Sequence, residues 1–312
     1  MSDLRASLNR TRQKSLTPEA VMKIRFHVVA ILCVLAVAAA VVAFAARSSR
    51  GQSSRPNRNA SVKPTVRITD SGGTKASAFT AAASQNAVLR NELDWAFGGK
   101  QQRGWYLYDL LISKTLSTDD DAVTADFAEE VAAWKKKRGM RADGVLDEAA
   151  LTALVSQWQA ARLKIRTPAQ QDQLVTAPPS DFFDPGRPAE LRQVERNAYE
   201  AYKEMIAAAA ADLKLAPTSQ YLKIVSSYRS REYQDQLRKN SPNAGRAGLA
   251  VNSPHFTGRA LDIYVGGSPV DTKDSNRAIQ VNTPAYKWLV RNAERFGFRP
   301  YFYEPWHWEY VK

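Results

Sequence analysis

A chain of 312 residues is long enough for two modest domains and a tail. Its net charge of +13 would suit a nucleic-acid surface if spread over the fold, but residues 1 to 67 hold twelve of the 44 Lys and Arg against only Asp3 and Glu19. The remaining 32 basic and 29 acidic residues nearly balance, which argues against nucleic acid as a partner, and a single cysteine, Cys33, excludes an intrachain disulfide.

In chain order, a basic N-terminal segment (1–27) leads into Val28 to Ala46, an uninterrupted run of 19 apolar residues. A helix of that length rises about 28 Å, enough to cross a hydrocarbon core. Basic residues flank the run on both sides, six before it and six within the 21 residues after it, so charge does not orient it. Ala43-Phe44-Ala45 could be a signal-peptidase site, but the long leader and long apolar run favour an uncleaved anchor. Residues 47–85, rich in Ser, Arg, Gly, Ala and Thr, read as a flexible spacer.

Order is expected to resume over 86–162 as a small all-α domain. Phe127, Val131 and Trp134 recur at helical spacing, as do Leu151, Leu154, Val155 and Trp158, with a turn at Asp143-Gly144 between them. Trp105, Tyr106 and Tyr108 are expected to pack the core rather than stack on sugar. The stretch from Trp134 to Leu151 resembles the repeat of small helical peptidoglycan-binding domains, with Asp147 where glycine is common. Residues 163–187, with Pro168, Pro178, Pro179 and Pro185, read as an interdomain linker.

Residues 188–312 then predict an α+β domain with a small antiparallel sheet. A long helix is expected through Leu191, Val194, Ala198, Met205 and Leu213, a strand over 221–227, and a helix over 281–296. Two of the three histidines sit here, in Ser253-Pro254-His255 and Glu304-Pro305-Trp306-His307. Residues 260 to 265 alternate as a strand, with Asp262 beside the small Ala260 on one face. Pro254 and Gly258 place His255 on an irregular turn, and a terminal strand over Trp306 to Val311 carries His307, Glu309 and Val311 on one face. Taken singly, each residue has an ordinary structural reading. Jointly, H-x6-D and a terminal E-x-x-H point to a metal site: His255, Asp262 and His307 as three ligands, an open position for water, and Glu304 as its base.

The pattern S-x-H-x-x-G-x-A-x-D followed by E-P-W-H-W-x-Y resembles the VanY-type D-alanyl-D-alanine carboxypeptidases, a group of zinc metallopeptidases of the LAS family. The run Ser227-Tyr228-Arg229-Ser230 extends the likeness, which covers roughly residues 181 to 312. The resemblance implies one zinc held by His255, Asp262 and His307, and catalysis by Glu304 as base. It further implies a substrate contact from Arg229 near the scissile carbonyl and a peptide-orienting role for Ser253. The loop from Asn243 to Asn252 departs from the usual approach to the first histidine, which bears on substrate choice rather than chemistry. The function implied is removal of the terminal D-alanine from peptidoglycan stem peptides by a single-pass membrane protein with its catalytic domain outside the cytoplasm. The alternatives are an endopeptidase of the same chemistry and a wall-binding protein whose metal site has lost turnover.

Overall fold

A computed structural model describes residues 79–216, 219–241 and 249–312. The expected basic segment, the expected anchor over 28–46 and most of the spacer lie outside the described residues. Among the described residues, no helix is long and apolar enough to cross a membrane.

The mixed α+β class holds, with corrections in detail. Residues 80–85, expected in the spacer, open helix α1 (Thr80–Glu92). The expected all-α region contains a hairpin, β1 (Asp94–Phe97) and β2 (Lys100–Arg103), paired Trp95 to Gln102 and Phe97 to Lys100. The reason is its turn: Gly98 and Gly99 both take positive φ, 60° and 79°, the conformation that a tight two-residue hairpin demands. Helices α2 (Asp109–Leu116), α3 (Ala125–Lys136) and α4 (Glu148–Ala160) follow. Thr124 and Asp147 cap α3 and α4 by accepting from Phe127 N and Ala150 N. Between them Lys135, buried, donates to Asp143 Oδ1 (2.8 Å), Val145 O (2.9 Å) and Asp147 Oδ2 (3.1 Å), tying the Asp-Gly turn to both helices. Trp105 packs inside, stacked on Phe127.

The expected linker carries structure too. Strand β3 (Leu174–Thr176) pairs with β4 (Gln193–Glu195), and Val194, expected in a helix, lies buried in β4. Helix α5 (Arg196–Leu213) therefore starts later than the apolar stripe suggested, where the Glu195 side chain accepts from Ala198 N. Then come β5 (Ile224–Ser226), α6 (Arg231–Asn240) and β6 (Ala260–Ile263). Helix α7 (Asp274–Val281) precedes the helix expected over 281–296, which forms as α8 (Pro284–Asn292) followed by a 3-10 turn. Thr283 caps α8 through Tyr286 N, and Pro284 occupies the first turn, where a missing N–H is harmless. Strands β7 (Phe298–Pro300) and β8 (His307–Tyr310) finish the chain.

The four-stranded antiparallel sheet has order β5-β6-β8-β7. Leu261, Ile263 and Trp308 are buried in a core shared with Met205 of α5 and Leu289 of α8. That core continues without a break into Trp95, Trp105 and Leu151 of the N-terminal half.

Candidate metal centre

Strand register builds the site. Asp262 of β6 sits directly opposite His307 of β8 and opposite Ser226 of β5. Cross-strand partners of this kind hold their side chains about 5 Å apart on one face. His255 comes from the 3-10 turn Pro254–Thr257, whose start Ser253 caps by accepting from His255 N at 3.3 Å. Gly258 ends the turn at φ 66°, and a side chain there would strike Leu174 and the backbone nitrogen of Glu195. That backbone nitrogen donates to Gly258 O at 2.9 Å, so strand β4 locks the turn in place.

His255, Asp262 and His307 are all buried and offer three ligand atoms within 4.8 Å of one another. Asp262 Oδ1 lies 3.3 Å from His255 Nε2 and 2.9 Å from His307 Nδ1. Ligands about 2.0–2.1 Å from a tetrahedral zinc lie roughly 3.4 Å from each other, so the spacing suits such an ion. The far side of each ring is anchored. His255 Nδ1 faces Ser227 O at 2.7 Å, and because a carbonyl only accepts, Nδ1 carries the proton and Nε2 keeps its lone pair. His307 Nε2 faces Glu309 Oε1 at 3.2 Å, which leaves Nδ1 turned toward Asp262. Glu309 is itself held by Arg162, through Nε at 3.1 Å and a close contact from Nη2, and by Leu163 N at 2.9 Å. Such outer partners fix the orientation of metal-binding rings.

Arg229 serves the third ligand. It donates from Nη2 to Asp262 Oδ2 (2.6 Å) and from Nε to Ser226 Oγ (3.0 Å), while its backbone nitrogen donates to His255 O. Glu304 occupies the turn before β8, where its carbonyl accepts from His307 N at 2.9 Å. It is buried, and it lines the cleft with Ser253, Arg229 and the three ligand residues. The structure thus brings all six predicted site residues into one cleft of about 580 Å³.

Burial and mutual contacts shift every ionisable group of the centre. Burial and the nearby Arg229 push His255 down to about 4, so its ring is neutral and able to coordinate. Burial works against charge on His307 as well, but hydrogen bonds to Asp262 and Glu309 outweigh it and carry the ring up to about 9. Burial opposes ionisation of Asp262, yet His255 and Arg229 hold its carboxyl well below the usual range. Burial lifts Glu304 to about 8, the range in which a carboxylate can take up a proton and release it again.

Sequence reading missed Arg162 and Glu309. The signal for Glu309 was present, since strand alternation puts it on the face of His307. Arg162 has no such signal, because it arrives from the end of α4, 147 residues away in sequence.

Residues 191–312 match the family model described as VanY, D-alanyl-D-alanine carboxypeptidase, in agreement with the resemblance carried by the motifs. A search of curated proteins finds no match. Among solved structures, the chain is similar to the LdcB LD-carboxypeptidase, whose structure is described as revealing the molecular basis of peptidoglycan recognition. The two are 28% identical, with 47% of this chain and 71% of that one covered at a TM-score of 0.36. It is also similar to a mutant of the vancomycin-resistance D,D-pentapeptidase VanY from a VanB-type cassette, in complex with Zn(II). That pair is 20% identical, with 50% and 89% covered at a TM-score of 0.31.

Proposed function

We propose that this chain is a zinc-dependent D-alanyl-D-alanine carboxypeptidase that removes the terminal D-alanine of peptidoglycan stem peptides. One observation carries the reading. Three buried ligand atoms from His255, Asp262 and His307 converge within 4.8 Å in a cleft that also holds Glu304. Zinc, when bound, supplies a Lewis acid that polarises the scissile carbonyl and acidifies water. Glu304 takes the proton of the attacking water and hands it to the leaving amine. Arg229 keeps Asp262 in place and brings positive charge to the side of the cleft where the oxyanion develops. Ser253 presents the turn that bears His255 and orients the peptide across it.

The setting we propose is the outer face of a cell membrane, with residues 28–46 as a single-pass anchor and the catalytic domain outside the cytoplasm. Its support is the apolar run itself and a substrate found only on that side.

The test is incubation of the zinc-loaded full chain, in detergent, with pentapeptides ending in D-alanyl-D-alanine and with cross-linked dimers. Products are read by mass spectrometry. Release of one alanine from the pentapeptide is expected. Glu304→Ala should reduce that release by at least about a hundredfold while zinc stays bound. Conversion of dimers to monomers without alanine release would make the enzyme an endopeptidase, and full activity of Glu304→Ala would remove it as the base.

A further inference from the structure

The walls of the cleft carry more positive charge than the metal centre uses. Four arginines line it, and two are occupied: Arg229 with Asp262, and Arg162 with Glu309. Arg166 and Arg187 form no ion pair with any described residue. Each is fixed by a single backbone bond, Arg166 Nη1 to Asn252 O at 2.8 Å and Arg187 Nε to Leu191 O at 2.9 Å. A guanidinium has five N–H donors in a fixed fork, so most of each fork is left for a ligand.

The two forks enter the cleft from separate loops of the chain. Arg187, bound to Leu191 O, also interacts electrostatically with Arg229, Tyr233, Asp262 and Asp184. Arg166, bound to Asn252 O just before Ser253, also interacts electrostatically with Arg162, Tyr301 and Glu309. Burial disfavours both charges, and Arg162 adds to this at Arg166 as Arg229 does at Arg187. A partly desolvated cation with no carboxylate in direct contact is unfavourable, and a bound carboxylate in bidentate contact relieves it. Both residues also precede residue 191, so they lie outside the segment that matches the carboxypeptidase family model.

We infer that Arg166 and Arg187 are carboxylate anchors, and that the peptide accepted here bears two carboxylates. One is the terminal carboxylate of the leaving residue. The second is a side-chain or α-carboxylate left free within the peptide. The inference rests on the peptidase reading for which bond is cut, but the anchoring itself is a matter of binding.

Binding is therefore what tests it. The zinc-loaded full chain carrying Glu304→Ala, in detergent, is titrated by calorimetry with three peptides ending in D-alanyl-D-alanine. One has both carboxylates free, one has a terminal carboxamide, and one has the internal carboxylate amidated. Each amidation should weaken binding by about tenfold or more, the worth of one charge-assisted contact. Adding Arg166→Gln should abolish one of these discriminations and adding Arg187→Gln the other, while Arg→Lys at either position restores part of it. Equal affinity for acids and amides overturns the inference without recourse to any arginine variant, as does retention of both discriminations by both Gln variants. If the wild type releases no alanine while the affinity differences stand, the peptidase reading falls and the anchors remain. If alanine is released but the affinities are equal, the anchors alone fall.

Discussion

Glu309 shows how far the chemistry of the centre depends on residues that bind no metal. Fully buried, it accepts from Arg162 and Leu163 N and meets His307 Nε2, so three groups fix one carboxylate and that carboxylate fixes one ligand. Replacing it by Gln keeps the shape and removes the charge. Zinc should then bind about 10- to 100-fold more weakly, the usual effect of losing such a partner, which competition with a chromogenic chelator would measure. Unchanged affinity would show that β8 alone orients His307. At this scale the clustering of His255, Asp262, His307 and Glu304 was legible in sequence, because His, Asp and Glu at those spacings have few other reasons to coincide. What could not be read was who holds them. Ser227 enters through a backbone carbonyl, which no side-chain pattern reports, and Arg162 comes from another part of the chain.

Elements were legible where one apolar period ran between clear caps. Helices α3 and α4 stand where Phe127, Val131 and Trp134, and Leu151 to Trp158, placed them. The hairpin β1–β2 escaped because its strands are only four residues long, although Gly98-Gly99 between Trp95 and Lys100 was a usable turn signal. Between α3 and α4, Lys135→Ala would leave Asp143 and Asp147 without their buried cation, at a cost of about 3 kcal/mol. Denaturant titration measures this, and a change under about 1 kcal/mol would mean that the turn is held by its backbone instead. In α2, burial raises Asp109 to about 6 despite Arg90, and its Oδ1 has no hydrogen-bond partner. The folded state therefore holds this proton more tightly than the unfolded chain, whose carboxyl titrates near 3.8. The contribution is present at low pH and is lost as pH rises from about 4 through 6. Thermal midpoints of Asp109→Asn should accordingly gain on the wild type across that window, and a constant difference would contradict the assignment.

At the scale of the whole molecule, the described residues from 79 onward share one core, in which Trp95 and Tyr108 pack against Phe302. Arg277 of α7 donates to Tyr108 Oη at 3.2 Å, and Lys114 of α2 donates to Val290 O at 2.6 Å. Two domains had been expected in sequence because proline-rich stretches suggest linkers. Here those prolines flank β3 and short 3-10 turns instead. Removing zinc with a chelator should lower the unfolding midpoint of both halves together, since ligand bound at a thousand times its Kd stabilises by about 4 kcal/mol. Far-UV circular dichroism and tryptophan fluorescence should lose signal in one coincident transition, whereas two separated transitions would contradict the shared core.

His255, Asp262 and His307 should together hold one divalent metal. Anomalous diffraction above and below the zinc edge, from crystals grown with zinc, tests it most directly. A single strong peak is expected within coordination distance of His255 Nε2, a carboxylate oxygen of Asp262 and His307 Nδ1, with Glu304 near it but not bound to it. A peak elsewhere, or none at these three atoms in zinc-saturated protein, would contradict it.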